Sequence, residues 1–338
     1  MQRSYNDKPR LFQLLGLAIE NNISYLYINK DSPCFSRNPA EDLVVFEPTI
    51  ITGDDLHEFI EKYVPELHRS ILDRYGYTRF VLNMGQGVRC RLDLAKAGDG
   101  PFMLVHILTQ TPRGPESICL DADFGDLASE NGGLYIVSSK PRSGKSLTLA
   151  SVVSEIASKE AKHIVWISRA TEYVFARTTS LITQFEVRVG ETLGAQVDTL
   201  TSLSPDVICV DMLLDETFLD HILSNAENGS KVFLSTPSSG AVNGLCELVE
   251  NVCTERQKDF RARLAQVFER SLYVELIKTD RGVFPAVEIL TGIEPVKNLL
   301  KEGKYVQIAD LIPSGAKYGM QTLAKSKSNI MAKNSPKH

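Results

Sequence analysis

No apolar run in the sequence approaches the roughly 18 residues that carry a helix across a bilayer. The stretch Leu11 to Ile19 is interrupted by Gln13 and is followed by no small-residue cleavage site, so it reads as an amphipathic helix rather than a signal peptide. The six cysteines, Cys34, Cys90, Cys119, Cys209, Cys246 and Cys253, form no Cys-x-x-Cys pair, and the six histidines show no H-E-x-x-H spacing. That excludes a zinc ribbon, a zincin and a disulfide framework, and it points to reduced thiols in a cytoplasmic protein. A net charge of −5 gives no general attraction to nucleic acid or acidic lipid. There is no internal repeat and a single tryptophan, Trp166.

What is present is an ordinary soluble composition, 43% hydrophobic and 23% charged, over 338 residues, a length that suggests about two domains. Up to residue 110 the pattern mixes a helix from Leu11 to Glu20, strands such as Tyr25 to Ile28, Val88 to Leu94 and Phe102 to Leu108, and a helix near Asp54 to Tyr63. This is an α+β arrangement. Residues 111–131 carry Pro112, Gly114, Pro115 and Gly125, a linker composition. From 132 to 324 short apolar runs alternate with helical patterns: strands Leu134 to Ser138, His163 to Ile167, Ile182 to Arg188, Val207 to Asp211 and Lys231 to Ser235, helices Lys145 to Lys159, Thr192 to Leu203, Glu216 to Glu227 and Val242 to Val252. Further strands are predicted near Leu272 to Ile277 and Ala286 to Leu290. Such alternation predicts an α/β fold with a mainly parallel sheet covered on both faces and a ligand at the carboxyl ends of its strands. Residues 325–338 are basic and are expected to be a disordered tail.

Ser139 to Ser146 reads Ser-Lys-Pro-Arg-Ser-Gly-Lys-Ser, between the apolar run from Gly133 and the helical run from Leu147. It is the loop G-x-x-x-x-G-K-[ST] with serine in place of its first glycine. In such a loop backbone N–H groups surround phosphates, lysine neutralises their charge and the final hydroxyl ligates Mg²⁺. The candidate nucleotide site is therefore Ser139, Arg142, Ser143, Gly144, Lys145, Ser146 and Leu147, and the cofactors it would take are ATP and Mg²⁺. A side chain at the opening position is expected either to bear roughly 1–2 kcal/mol of backbone strain at Ser139 or to reshape the turn, and weakened rather than abolished binding follows. The apolar run Val207 to Val210 ends in Asp211, the general pattern in which a carboxylate holds Mg²⁺ beside the loop serine. Asp211 is a metal-ligand candidate with Ser146, or a strand-end carboxylate capping the next turn.

Gly133 to Ala150 resembles the phosphate loop of the type II and type IV secretion and pilus ATPases, particularly the twitching-motility retraction motors. Further likeness lies in Ser204 to Val210, Ala226 to Gly229, Val287 to Leu290, Pro295 to Glu302 and Gly319 to Leu323. The resemblance implies a RecA-like P-loop domain preceded by a smaller PAS-like domain. It also implies a cytoplasmic homo-hexamer, or a mixed ring with an active paralogue, working against an inner-membrane pilus or secretion platform. Against that pattern, an acidic pair is replaced by Ser168 and Arg169, with Glu172 surviving beyond it. The water-orienting glutamate falls at Met212, the histidine after the next strand at Pro237, and paired arginines of the first domain at Asp99 and His106. Arg169 then either salt-bridges the loop or occupies phosphate space, stabilising a site without nucleotide, or it lies exposed. Glu172 and Asp211 are the remaining candidates for a catalytic acid, with Asp215 and Glu216 as more distant substitutes, and Trp166 could report binding through its fluorescence.

These replacements favour a nucleotide-holding but hydrolytically impaired subunit, structural or regulatory, of a pilus or secretion machine. A slow active motor and a non-motor binding protein on the same ring fold are the alternatives.

Overall fold

The computed structural model describes residues 10–37, 42–85, 88–108, 112, 114–118, 132–189, 202–212 and 216–334. They fall into two compact units, one drawn from 1–110 together with 169–174 and 186–191, the other from 111–168, 175–185 and 192–338.

In the first unit six strands form one sheet. They are β1 (Tyr25–Asn29), β2 (Ser32–Arg37), β3 (Leu43–Ile51), β4 (Tyr77–Gly85), β5 (Val88–Ala97) and β6 (Gly100–Leu108), in spatial order β3-β2-β1-β6-β5-β4. Alternation along the strands sends Leu26, Ile28, Phe80, Leu92, Leu94, Met103, Val105 and Ile107 to one buried face. Three helices supply the rest of that core: α1 (Arg10–Glu20), α2 (Gly53–Tyr63) and α3 (Glu66–Tyr75). Phe12, Phe59 and Tyr63 meet there with ring centroids 4.2–5.7 Å apart. The start of α2 is fixed by a capping box: the Asp55 amide donates to the Thr52 hydroxyl at 3.2 Å and the Thr52 amide to the Asp55 carboxylate at 2.9 Å. The opposite face carries Arg79, Arg91 and Asp93, aligned by the register Arg79↔Asp93 and Val81↔Arg91.

The second unit is built on β7 (Gly133–Ser139), β8 (His163–Ser168), β9 (Leu181–Glu186), β10 (Val207–Asp211), β11 (Lys231–Pro237), β12 (Phe268–Thr279) and β13 (Gly282–Thr291), in the order β13-β12-β7-β11-β10-β8-β9. The ladders β12·β7, β7·β11, β11·β10 and β10·β8 are parallel, and only the hairpin β12·β13 among the registered pairs is antiparallel. Every residue of β7 is buried, as a doubly covered central strand requires. Gly133 enters it at φ 139°, where a Cβ would stand 2.9 Å from the Val267 carbonyl, so no larger residue fits. The helices are α4 (Lys145–Lys159), α5 (Glu216–Glu227), α6 (Ala241–Glu250), α7 (Gln257–Val267), α8 (Glu294–Glu302), α9 (Tyr305–Leu311) and α10 (Leu323–Asn334). Arg256 and Arg263 tie α7 to Glu216, Asp220 and Glu227 of α5.

This α/β, two-sheet arrangement is the fold class the sequence predicts, with two differences in detail. Of residues 325–338, expected to be a disordered tail, 325–334 belong to the helix α10 and the rest lie outside the described residues. Thr322 caps it through the Lys325 amide at 3.2 Å, the buried Ser326 hydroxyl accepts from the Val287 amide at 2.9 Å, and Lys327 pairs with Glu275. Composition alone carries none of these contacts. The strand expected to reach Arg188 stops at Glu186, where the carbonyls of Val187 and Arg188 turn to the Arg169 guanidinium. The helix expected over Thr192 to Leu203 lies almost wholly outside the described residues. Of the 111–131 segment, Pro112 and the short turn Pro115–Ile118 are described; the Pro112 carbonyl accepts from Ser154 of α4. No helix among the described residues is long and apolar enough to cross a membrane.

Candidate nucleotide site

The buried strand β7 ends at Ser139 and the chain turns through residues 140–144 into α4, so the loop opens at the carboxyl edge of the parallel sheet. Of the two outcomes expected at Ser139, strain or a reshaped turn, the structure has the second. The Ser139 φ is negative and its hydroxyl donates to the Lys140 carbonyl at 2.8 Å. The left-handed positions are Arg142, at φ 62°, and Gly144, at φ 83°. The strain of the turn has moved three residues along, onto an arginine, at roughly 1–2 kcal/mol. At Gly144 it is conformation, not crowding, that selects glycine, because the nearest atom to an added Cβ would be Leu276 Cδ2 at 3.8 Å. Ser143 closes the loop by donating from its amide to the Lys140 carbonyl at 3.3 Å.

Helix α4 starts at Lys145 with no side-chain cap and no acidic residue in its first turn. Its leading N–H groups and the positive end of its dipole therefore face the loop without a cap or an acid from the helix's own first turn, which favours binding an anion. Ser146 and Leu147 are half-buried in that turn.

Lys145 reaches inward. Its Nζ donates to the Ser235 hydroxyl at 2.9 Å and lies 3.6 Å from Asp211 Oδ1, while Ser235 donates to the same carboxylate oxygen at 2.7 Å. The strand register makes this possible: Val210 pairs with Leu234, so Asp211 and Ser235 leave β10 and β11 side by side. With Lys145 21% and Asp211 10% exposed, the pair attracts by about 4–5 kcal/mol at an effective dielectric of about 20, before desolvation is charged against it. A triphosphate would have to compete with Asp211 for the loop lysine. The donor set suits Mg²⁺, since one hydroxyl from Ser146 and one carboxylate from Asp211 leave the remaining positions to phosphate oxygens and water. Among the described residues there is no cluster of three or more His, Cys, Asp or Glu that would hold a metal by itself.

The acids expected of a hydrolytic centre are elsewhere. Ser168 is buried opposite Asp211 in the β8·β10 ladder. Met212, at the position of the water-orienting glutamate, is 6% exposed. Pro237 ends β11 beside Ser139. Arg169 is neither exposed nor bridged to the loop: its Nη1 donates to the carbonyls of Val187 and Arg188 at 3.4 and 3.5 Å, within the first unit. Glu172 also belongs to the first unit, where Oε1 accepts from Arg91 Nη1 at 2.7 Å, both side chains about 15% exposed. Arg89 donates to the carbonyls of Thr171 and Glu172, and Glu186 accepts from the Thr171 amide at 2.7 Å. Glu172 is thereby a structural carboxylate, not a free base. Glu216, in the first turn of α5, accepts from the Cys253 amide and from Arg256; Asp215 lies outside the described residues. Trp166 is buried in β8 against Phe175, 5.4 Å between ring centroids.

Where the family's paired arginines are expected, Asp99 sits in an exposed turn and His106 stacks on Tyr25 at 4.4 Å. Burial, and then the Arg91 charge, pull the His106 pKa down to about 4, so the ring is neutral at pH 7 and offers no charge to a phosphate. Next to it Asp93 accepts from Arg79 at 2.6 Å, from Arg91 at 3.1 Å and from Tyr77, whose phenol is pushed up to about 12 by burial and by that bond. Burial works against the Arg91 charge, yet Glu172 and Asp93 outweigh it and hold its pKa above the ordinary value. Sequence reasoning had no signal for these partners. Ser235 was missed for the same reason, since only the β10·β11 register brings it to Asp211.

No protein-family model matches the chain. The twitching motility protein of Neisseria gonorrhoeae is 25% identical over 285 residues, covering 83% of this chain and 76% of that protein. The type IV pilus retraction ATPase PilT of Pseudomonas aeruginosa PAO1 is 24% identical over 324 residues, 95% and 94% of the two chains. The crystal structure of the pilus retraction motor PilT with bound ADP superposes with a TM-score of 0.75 at 23% identity, covering 96% of both chains. Alignment with these relatives over most of their length, on a shared two-domain fold, makes the chain a homologue of the twitching-motility and pilus-retraction ATPases.

Proposed function

We propose that this protein is a hydrolytically impaired relative of the pilus-retraction ATPases, one that binds ATP with Mg²⁺ through Gly144, Lys145, Ser146 and Leu147 and cuts it slowly or not at all. It acts as a structural or regulatory subunit of a type IV pilus or type II secretion machine, in a ring of its own or mixed with an active paralogue, at the inner face of the cytoplasmic membrane. The observation that carries this reading is Met212. A buried thioether at the strand end can neither accept a proton nor orient water, and Glu172 is taken up by Arg91. Phosphoryl transfer depends on positioning and electrostatic stabilisation, and loss of one well-placed group costs on the order of 10²–10³ in rate.

The test is phosphate release from Mg-ATP by the purified chain, alone and with an active paralogue, set beside a nucleotide-binding titration. Binding without appreciable turnover is expected, and Met212→Glu is expected to raise the rate. Turnover at motor-like rates, abolished by Lys145→Ala, overturns the reading. A slow active motor is the second reading, favoured by the Asp211 carboxylate lying 3.6 Å from Lys145 Nζ, where it could take over part of the missing acid's role.

A further inference from the structure

The Lys145–Ser235–Asp211 arrangement has the parts of a phosphoryl acceptor. A hydroxyl becomes a nucleophile when a base stands ready for its proton and a cation stands beside the electrophile. Ser235 has both: its O–H points to Asp211 Oδ1 at 2.7 Å, and Lys145, the group that would grip the terminal phosphates, donates to the Ser235 oxygen itself at 2.9 Å. Two neighbouring hydroxyls of this edge are arranged differently. Ser139 donates to the Lys140 carbonyl and Thr236 to the Pro237 carbonyl at 3.5 Å, and a carbonyl cannot take up the proton. Ser235 is 5% exposed, so bulk water is largely kept from the acceptor oxygen. With Met212 in place of a water-orienting acid, the carboxylate of this pocket is aimed at a serine instead of at water.

We propose that the chain transfers the terminal phosphoryl group of a nucleoside triphosphate to its own Ser235. The bond between the γ-phosphorus and the β,γ-bridging oxygen breaks, a bond from Ser235 Oγ to that phosphorus forms, the hydroxyl proton passes to Asp211, which serves in this step as base and not as Mg²⁺ ligand, and the nucleoside diphosphate leaves. No other reactant is consumed. The phosphoserine carries between one and two negative charges and lies within reach of Lys145, so it replaces the contact that Asp211 makes with the lysine now. It also fills the place of a γ-phosphate. The modified chain should therefore accept a diphosphate and refuse a triphosphate, which turns a consumable ligand into a lasting mark on the subunit.

This inference rests on the nucleotide-binding reading, and one experiment separates the two. Full-length protein, first treated with phosphatase, is incubated with γ-labelled Mg-ATP, and binding is titrated in parallel with a non-hydrolysable ATP analogue. Labelled phosphate is expected on the peptide containing residues 231–237, at Ser235 by fragmentation, approaching one group per chain. Ser235→Ala should lose the label and keep analogue binding, Ser235→Thr should regain it, and Asp211→Asn should lower the labelling rate by at least tenfold. Analogue binding without label, or label that survives Ser235→Ala, overturns the inference and leaves the binding reading standing. Absence of analogue binding overturns both.

Discussion

Glu172 separates a structural role from a catalytic one by a single substitution. It is the surviving carboxylate closest in sequence to the family's acidic pair, and a slow motor that recruits it, rather than Asp211, needs it as a base. In the structure it is one end of a largely buried charge-assisted hydrogen bond to Arg91 at 2.7 Å. Glu172→Gln preserves the shape and removes the charge. Hydrogen bonds to charged groups contribute about 1.5–3 kcal/mol. Leaving a buried arginine wholly unpaired would cost about 3–5 kcal/mol, but Arg91 retains Asp93 at 3.1 Å, so the lower range applies. The expected loss is therefore about 1.5–3 kcal/mol. At about 2.1 cal/mol/K per residue a unit of this size shifts by about 4 °C per kcal/mol, so melting of the first unit should fall by roughly 6–12 °C. The assay is thermal melting followed by far-UV circular dichroism, with phosphate release measured on the same samples below the transition. A structural Glu172 gives a lower Tm and unchanged turnover. A variant that melts like the parent while its residual turnover drops a hundredfold would refute the reasoning and return Glu172 to the active site. Asp93→Ala gives the internal calibration: it strips the shared partner from Arg79 and Arg91 together and should cost more than Glu172→Gln.

Three further outcomes are expected. Asp211→Asn frees Lys145 from its carboxylate, so ATP measured in a chelator should bind roughly tenfold tighter, equivalent to about 1.4 kcal/mol surviving from the larger Coulomb attraction, and unchanged affinity would show that the pair does not gate the loop. His106 stays neutral in the folded chain down to about pH 4, whereas an unfolded histidine titrates near 6.5, so the unfolded state binds more protons in that window. Its contribution is therefore whole above about pH 6.5 and lost as pH falls toward 4, by up to about 1.4 kcal/mol per unit; His106→Phe, which can keep the stack on Tyr25, should flatten the Tm-against-pH curve, and a parallel curve would remove the assignment. Ser326→Ala should leave the buried Val287 amide without its acceptor and cost about 1–3 kcal/mol, read as a lower denaturation midpoint with unchanged slope, whereas no change would mean that α10 is not docked in solution.

What could be read from the sequence follows from how far each determinant reaches along the chain. The limits of α4, β10 and α5 agree with their expected spans because each rests on local signals: a Gly-Lys-Ser turn, an apolar run ended by an acid, a helical period. The same local reading failed where a partner lies far away. Glu172 looked like a spare acid because Arg91 is 81 residues distant, and Ser235 carried no signal because its meeting with Asp211 spans 24 residues and depends on strand register. Charge count made residues 325–338 look disordered, yet the docking of α10 uses Ser326 and Lys327 against the β12·β13 hairpin. The strain of the loop is the most informative of these cases. A missing first glycine left two outcomes open, a burden on Ser139 or a reshaped turn, and the loop takes the second, with Arg142 in the left-handed conformation beside Gly144. Motif spacing preserves the lysine, the serine and the start of the helix, which are the parts that grip phosphate. It does not preserve the groups arriving from neighbouring strands, and in this chain those decide whether a gripped phosphate meets water, a serine, or nothing reactive.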